Sequence, residues 1–164
     1  MRVTEIIPQH EYSEVIRQNK ERKLWRENDT LSRILSMFMT EYAELVEAIE
    51  TTPDIAYLIA SEIGDLFYLA VKYENLQNSE LPEGMQKVLE YALEICALTG
   101  LDPVDCLMMK ILRNEVKYFA PIVNNGFNAQ EAVAISKQSY VSLVGGEERF
   151  SHWYEEFGEI LQHK

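Results

Sequence analysis

Along most of this chain apolar residues recur three and four positions apart, and almost nowhere do they alternate. That period belongs to helices. It predicts a first helix from about Gln9 to Glu27 and a second from about Leu31 to Thr51, with N-D-T at 28–30 supplying N-cap oxygens for the second. Thr52 as cap and Pro53 in the first turn predict a third helix ending near Gln77. A fourth is expected from about Pro82 to Leu98, closed by Gly100, and a fifth from Asp102-Pro103 to about Phe119. After the loop P-I-V-N-N-G-F-N come a sixth, about Ala129 to Leu143, and a last amphipathic one beyond Gly145-Gly146. The fold class is all-α. No repeat or low-complexity linker breaks residues 1–164, so a single domain is expected.

The same period sorts the faces. In the second helix it buries Leu31, Ile34, Leu35, Phe38, Leu45 and Ile49; in the third, Ile55, Leu58, Ile59, Leu66, Leu69 and Tyr73. Four acids interrupt these stripes. Glu41 projects inside the first arc and Glu44 lies at its edge, while Glu62 lies within the second and Asp65 on its border. Each pair is spaced three residues apart, which keeps both members on one side of a helix. The short turn at Thr51–Asp54 makes the two helices antiparallel neighbours. Glu44 and Glu62 are equally far from Pro53, and so are Glu41 and Asp65. Equal offsets mean equal height, so all four carboxylates can converge.

Acids in an apolar stripe need a reason. An unpaired buried carboxylate costs several kcal/mol or is forced to take up a proton, and four together repel. A divalent cation among them removes the difficulty, and oxygen ligands in this number suit Mg²⁺ or Mn²⁺. Two other readings are weighed against it: a solvated acidic face, the ordinary reading for Glu47 and Glu50, and pairing with Lys or Arg from another helix.

Composition narrows the partners. A net charge of −12, from 27 acids and 15 bases, leaves no basic footprint for nucleic acid and disfavours an anionic membrane. It admits a phosphate substrate if a metal bridges the two. The N-terminus has no signal-peptide core, and no apolar run reaches the roughly 20 residues that span a bilayer. Cys96 and Cys106 sit among apolar residues and read as buried free thiols. Together these lead to the expectation of a cytoplasmic protein. His10, His152 and His163 have no ligand spacing and are expected on the surface.

The fifth helix carries a narrow basic stripe: Lys110, Asn114 and Lys117 on one face, with Arg113 beside it. It could be that helix's only solvated face. It could also bind phosphate oxygens through Lys110 and Lys117 and a sugar or phosphate through Asn114, with Arg113 in support. Trp25 could stack on a base, although a Trp at a helix end is more often core.

At these positions the sequence resembles the MazG-like nucleotide pyrophosphohydrolases. That family shows a Trp, a Thr five residues on, and an E-x-x-E pair eleven after the Thr; here these are Trp25, Thr30, Glu41 and Glu44. Its second element, E-x-x-D before an apolar run, matches Glu62 and Asp65 in S-E-I-G-D-L-F-Y-L-A-V. Its basic third element is similar to K-I-L-R-N-E-V-K-Y, through Lys110, Arg113, Asn114, Lys117 and Tyr118. Thr40 and Arg26 depart from the residues the family often has there. The likeness covers about 22–119 as a catalytic core and leaves 120–164 as a helical C-terminal extension.

The resemblance implies a helical bundle of the all-α NTP pyrophosphatase type, with a four-helix core completed by a homodimer or homotetramer. It implies Mg²⁺-dependent cleavage of a (deoxy)nucleoside triphosphate to monophosphate and pyrophosphate. Glu41, Glu44, Glu62 and Asp65 would hold metal, and Glu41 would serve as the base toward water. The alternatives are a phosphoribosyl-ATP pyrophosphohydrolase-like enzyme, or a non-catalytic helical interaction or regulatory protein.

Overall fold

A computed structural model describes residues 1–21, 30–54 and 56–118. All regular structure among them is helical: a 3-10 turn at Val3–Glu5, then α1 (Gln9–Glu21), α2 (Leu31–Thr51), α3 (Ala56–Gln77), α4 (Glu83–Thr99) and α5 (Pro103–Tyr118). The chain divides into two compact units, Met1–Lys110 and Ile111–Lys164. The continuation of the first helix past Glu21, Trp25, and the sixth and seventh helices lie outside the described residues.

The caps explain the boundaries. Thr30 has extended backbone, and its hydroxyl accepts the Arg33 N–H at 3.2 Å, which starts α2 where the sequence places it. Gly100 takes φ +75°, a left-handed value that suits glycine, and its N–H returns to the Cys96 carbonyl to end α4. Asp102 Oδ1 accepts the Val104 N–H at 2.7 Å, ahead of Pro103 in the first turn of α5. The α2–α3 connection differs from expectation. Thr52 caps α2 from behind, its hydroxyl donating to the Ala48 carbonyl at 3.0 Å, and α3 begins at Ala56 rather than at Pro53. The threonine serves the orphan carbonyls of the helix it ends, so it does not cap the one that follows.

α3 is the axis of the first unit. α2 packs along it most extensively, and α1, α4 and the N-terminal 3-10 turn also lie against it. Every residue from Ile59 to Glu74 is buried, so α3 has no solvated face over that stretch. The stripe predicted from period alone is therefore too narrow. Ile63, Phe67 and Val71 are as buried as Ile59 and Leu66. α2 remains one-sided, with Ile34, Phe38 and Leu45 inward. Leu35, expected in that stripe, is 36% exposed beside Met39 at 47%.

Burying α3 all round takes polar side chains inside with it. Glu74 Oε2 accepts the Val3 N–H at 2.6 Å, pinning the N-terminal turn. Burial and the facing Glu74 push the Tyr12 phenol up to about 12. Tyr68 donates to Gln18 Oε1 at 2.7 Å and accepts from Asn19 Nδ2 at 3.0 Å, which ties α1 to α3. Cys96 and Cys106 are buried free thiols, as expected. Their thiols hydrogen-bond to each other, and that bond together with burial raises Cys106. No helix among the described residues is long and apolar enough to cross a membrane.

Candidate metal centre

Glu41, Glu62 and Asp65 each present a carboxylate oxygen, and these oxygens all lie within 4.8 Å of one another. One comes from α2 and two from α3. Glu62 and Asp65 are one turn apart on the buried axis, and Glu41 reaches them across the antiparallel hairpin. The backbone does the assembling here. The apolar packing of α2 on α3 fixes the register, and the register carries the acids together whether or not they attract one another.

They do not attract one another. Burial, then the negative charges of Asp65 and Glu44, push the Glu41 carboxyl up from 4.5 to about 8; Lys110 pulls the other way and Glu62 adds to the rise. Glu41 Oε2 is buried and accepts no hydrogen bond. A buried acceptor without a donor is uncommon in a folded chain. The Glu41 carboxylate lies beside two further carboxylates, a donor set that fits a hard divalent cation taking oxygen ligands.

Glu44, expected as a fourth ligand, is exposed, and the group of three closes without it. It stays near enough for its charge to act on Glu41. It lies at the edge of the α2 arc, and on an α2 whose outer side faces solvent that edge is the surface.

Lys110 adds what the sequence reading weighed only in general terms. Its Nζ lies 2.5 Å from Asp65 Oδ1, an ion pair between α5 and α3. The two helices meet closely there. A Cβ on Gly64 would collide with the Cys106 backbone carbonyl, one turn before Lys110, so the approach requires a glycine. The signal was in the sequence: an isolated glycine inside a strongly helical pattern marks a close backbone approach. Arg113 and Asn114 are buried, so the stripe on α5 is not simply that helix's solvated face. Lys117 falls within α5, but its side chain is not among those described, and neither is Trp25. His10 is exposed, 3.7 Å from Glu11; His152 and His163 are outside the described residues.

Such a group can hold a cation, orient an anionic ligand through it, and accept a proton at Glu41. Compared with known proteins, the chain matches no family model, no curated protein and no solved structure.

Proposed function

We propose that the protein is a divalent-metal-dependent nucleotide pyrophosphohydrolase of the MazG-like type, cleaving a nucleoside triphosphate to monophosphate and pyrophosphate. The observation that carries this reading is the convergence of Glu41, Glu62 and Asp65, with a buried Glu41 oxygen that accepts no hydrogen bond. Glu41, Glu62 and Asp65 would hold Mg²⁺ or Mn²⁺, with Glu44 contributing charge from the rim. The metal, when bound, neutralises phosphate charge and acidifies a water.

The chain's own residues supply the rest. Glu41, the carboxylate reaching in from α2, takes the proton of the attacking water as it adds to the α-phosphorus. Glu62 and Asp65, rigid on the buried axis, fix the site's geometry. Lys110 brings a cation to the border of the site, and Asn114, Arg113 and Lys117 follow it on α5 as candidates for substrate contacts. A dimer or tetramer and a base-stacking role for Trp25 belong to the same reading.

A second reading has an observation in its favour. The Lys110–Asp65 pair shows that part of the acid group is neutralised within the chain. A helical interaction or regulatory protein could use the acids as an ion-pair network alone.

The test is to incubate the protein with Mg²⁺ and a panel of canonical and modified ribo- and deoxyribonucleoside triphosphates, with phosphoribosyl-ATP included. Pyrophosphate and monophosphate release is measured, and Glu62→Gln serves as control. Metal-dependent release lost in the control supports the enzyme, and its substrate preference separates the two pyrophosphohydrolase classes. Silence from a folded protein across the panel favours the ion-pair network.

A further inference from the structure

The two cysteines of the chain face each other across the α4–α5 connection, Cys96 in the last turn of α4 and Cys106 in the first turn of α5. Their thiols are in hydrogen-bond contact. Both backbones are held. The Cys96 carbonyl accepts the Gly100 and Leu101 N–H groups that close α4. The Cys106 N–H donates to the Asp102 carbonyl at 3.0 Å, and the Cys106 carbonyl abuts Gly64 on α3. The sulfurs have only to close from hydrogen-bond contact to the roughly 2 Å of a disulfide.

A buried thiol is usually inert, and what sets this pair apart is its place in the fold. Cys96 is buried, but Ala97, Leu98, Thr99 and Gly100 after it are all exposed, Leu98 by 87%. Opening the end of α4 uncovers Cys96 while the rest of the core stays closed. The shared hydrogen bond also divides the labour. The Cys106 thiol donates to the Cys96 sulfur, which lowers Cys96 against the opposing effects of burial and Asp102 and raises Cys106.

We propose that Cys96 and Cys106 are a redox-active dithiol that a hydroperoxide converts to an intramolecular disulfide, with Cys96 attacking and Cys106 resolving. The Cys96 thiolate attacks a peroxide oxygen. The O–O bond breaks, an alcohol or water leaves, and Cys96 becomes a sulfenic acid. The Cys106 sulfur then attacks the Cys96 sulfur. The S–S bond forms, the S–O bond breaks, and the hydroxide leaves as water with the Cys106 proton. Two thiols and one hydroperoxide thus give one disulfide, one alcohol or water, and one further water. Oxidation ties the end of α4 to the turn of α5 that lies on α3 at Gly64. The proposal is independent of the metal-centre reading.

The experiment exposes the folded full chain to hydrogen peroxide, removes the excess, denatures, and counts free thiols by maleimide labelling and intact mass. The expected result is loss of both labels with single-chain mobility on a non-reducing gel, and return of both after dithiothreitol. Retention of both labels overturns the proposal. So does loss that dithiothreitol does not reverse, which marks over-oxidation, and so does a disulfide between two chains.

The single variants test the assignment of roles. In Cys106→Ala, Cys96 should stop at the sulfenic acid and be captured by a dimedone probe. In Cys96→Ala, capture at Cys106 should be at least about tenfold slower. Equal or reversed rates in the folded variants overturn the assignment of Cys96 as the attacking thiol.

Discussion

Lys110 Nζ on α5 and Asp65 Oδ1 on α3 lie 2.5 Å apart, and this pair brings a cation against a group of three converging carboxylates. Its removal acts on more than one bond. In metal-free protein Lys110→Ala takes this cation away from buried Asp65, beside Glu41 and Glu62. Breaking a buried pair from one side costs about 3–5 kcal/mol, and the partly exposed lysine brings the expectation to about 2 kcal/mol. Urea denaturation in the presence of a chelator measures it. Lys110→Ala combined with Asp65→Asn should be less destabilised than the two single changes added together, and strict additivity would show that the pair is not coupled.

The raised Glu41 carboxyl predicts a pH dependence whose sign is opposite to that of an ordinary salt-bridged acid. Between 4.5 and about 8 the folded chain holds a proton that the unfolded chain has released. The unfolded state therefore binds fewer protons, and stability falls as pH rises through that window. Glu41 makes its full contribution below about pH 4.5 and has lost it above about pH 8. Glu41→Gln should remove that decline, measured as the difference between the two denaturation midpoints from pH 4.5 to 8.5 without metal. Parallel midpoints across the window would place the proton elsewhere.

Gly64→Ala should be strongly destabilising, because the new methyl meets the Cys106 backbone carbonyl rather than a movable side chain. Overpacking of this kind costs about 1–3 kcal/mol. The change should also separate Lys110 from Asp65. Gly84, in the first turn of α4 with nothing within 4 Å of a built Cβ, is the matched control. Gly84→Ala should be neutral or stabilising by up to about 1 kcal/mol. Thermal melts of the two variants side by side decide, and equal melts would mean that α3 and α5 are not in backbone contact.

Glu74 anchors the N-terminal turn from inside the protein. Glu74→Ala removes the acceptor for the Val3 N–H, a buried 2.6 Å bond. An orphaned buried donor costs about 1–3 kcal/mol. The loss should appear as faster amide hydrogen exchange at Val3 and in the adjoining turn, with α2 protected as before. Unchanged exchange at Val3 would show that the bond contributes little.

Much of this arrangement can be read without coordinates. The bounds of α2, its Thr30 cap, the closure of α4 at Gly100 and the start of α5 at Pro103 follow from capping chemistry and period. So does the meeting of Glu41 with Glu62 and Asp65, because a short antiparallel connection turns sequence offsets into heights. Burial is harder to read. Ile63 and Phe67, outside the stripe that period alone marks on α3, are buried too, since the packing of α1 and α4 on that helix is a tertiary fact. Leu35 and Glu44 sat at the margins of a stripe, and there a few tens of degrees separate core from surface. The partner of Asp65 required knowing which helix docks on α3 and at what height; only the lone Gly64 hinted at it.

The short connection between α2 and α3 has a consequence for the order in which the protein folds. Helices joined by a few residues close on each other with little loss of chain entropy, and such local pairings form early. The hairpin is therefore expected to bring Glu41 to Glu62 and Asp65 before α5, much later in the chain, arrives with Lys110. Any state in which α2 has paired with α3 but α5 has not docked lacks the Lys110–Asp65 ion pair, and the docking of α5 supplies it.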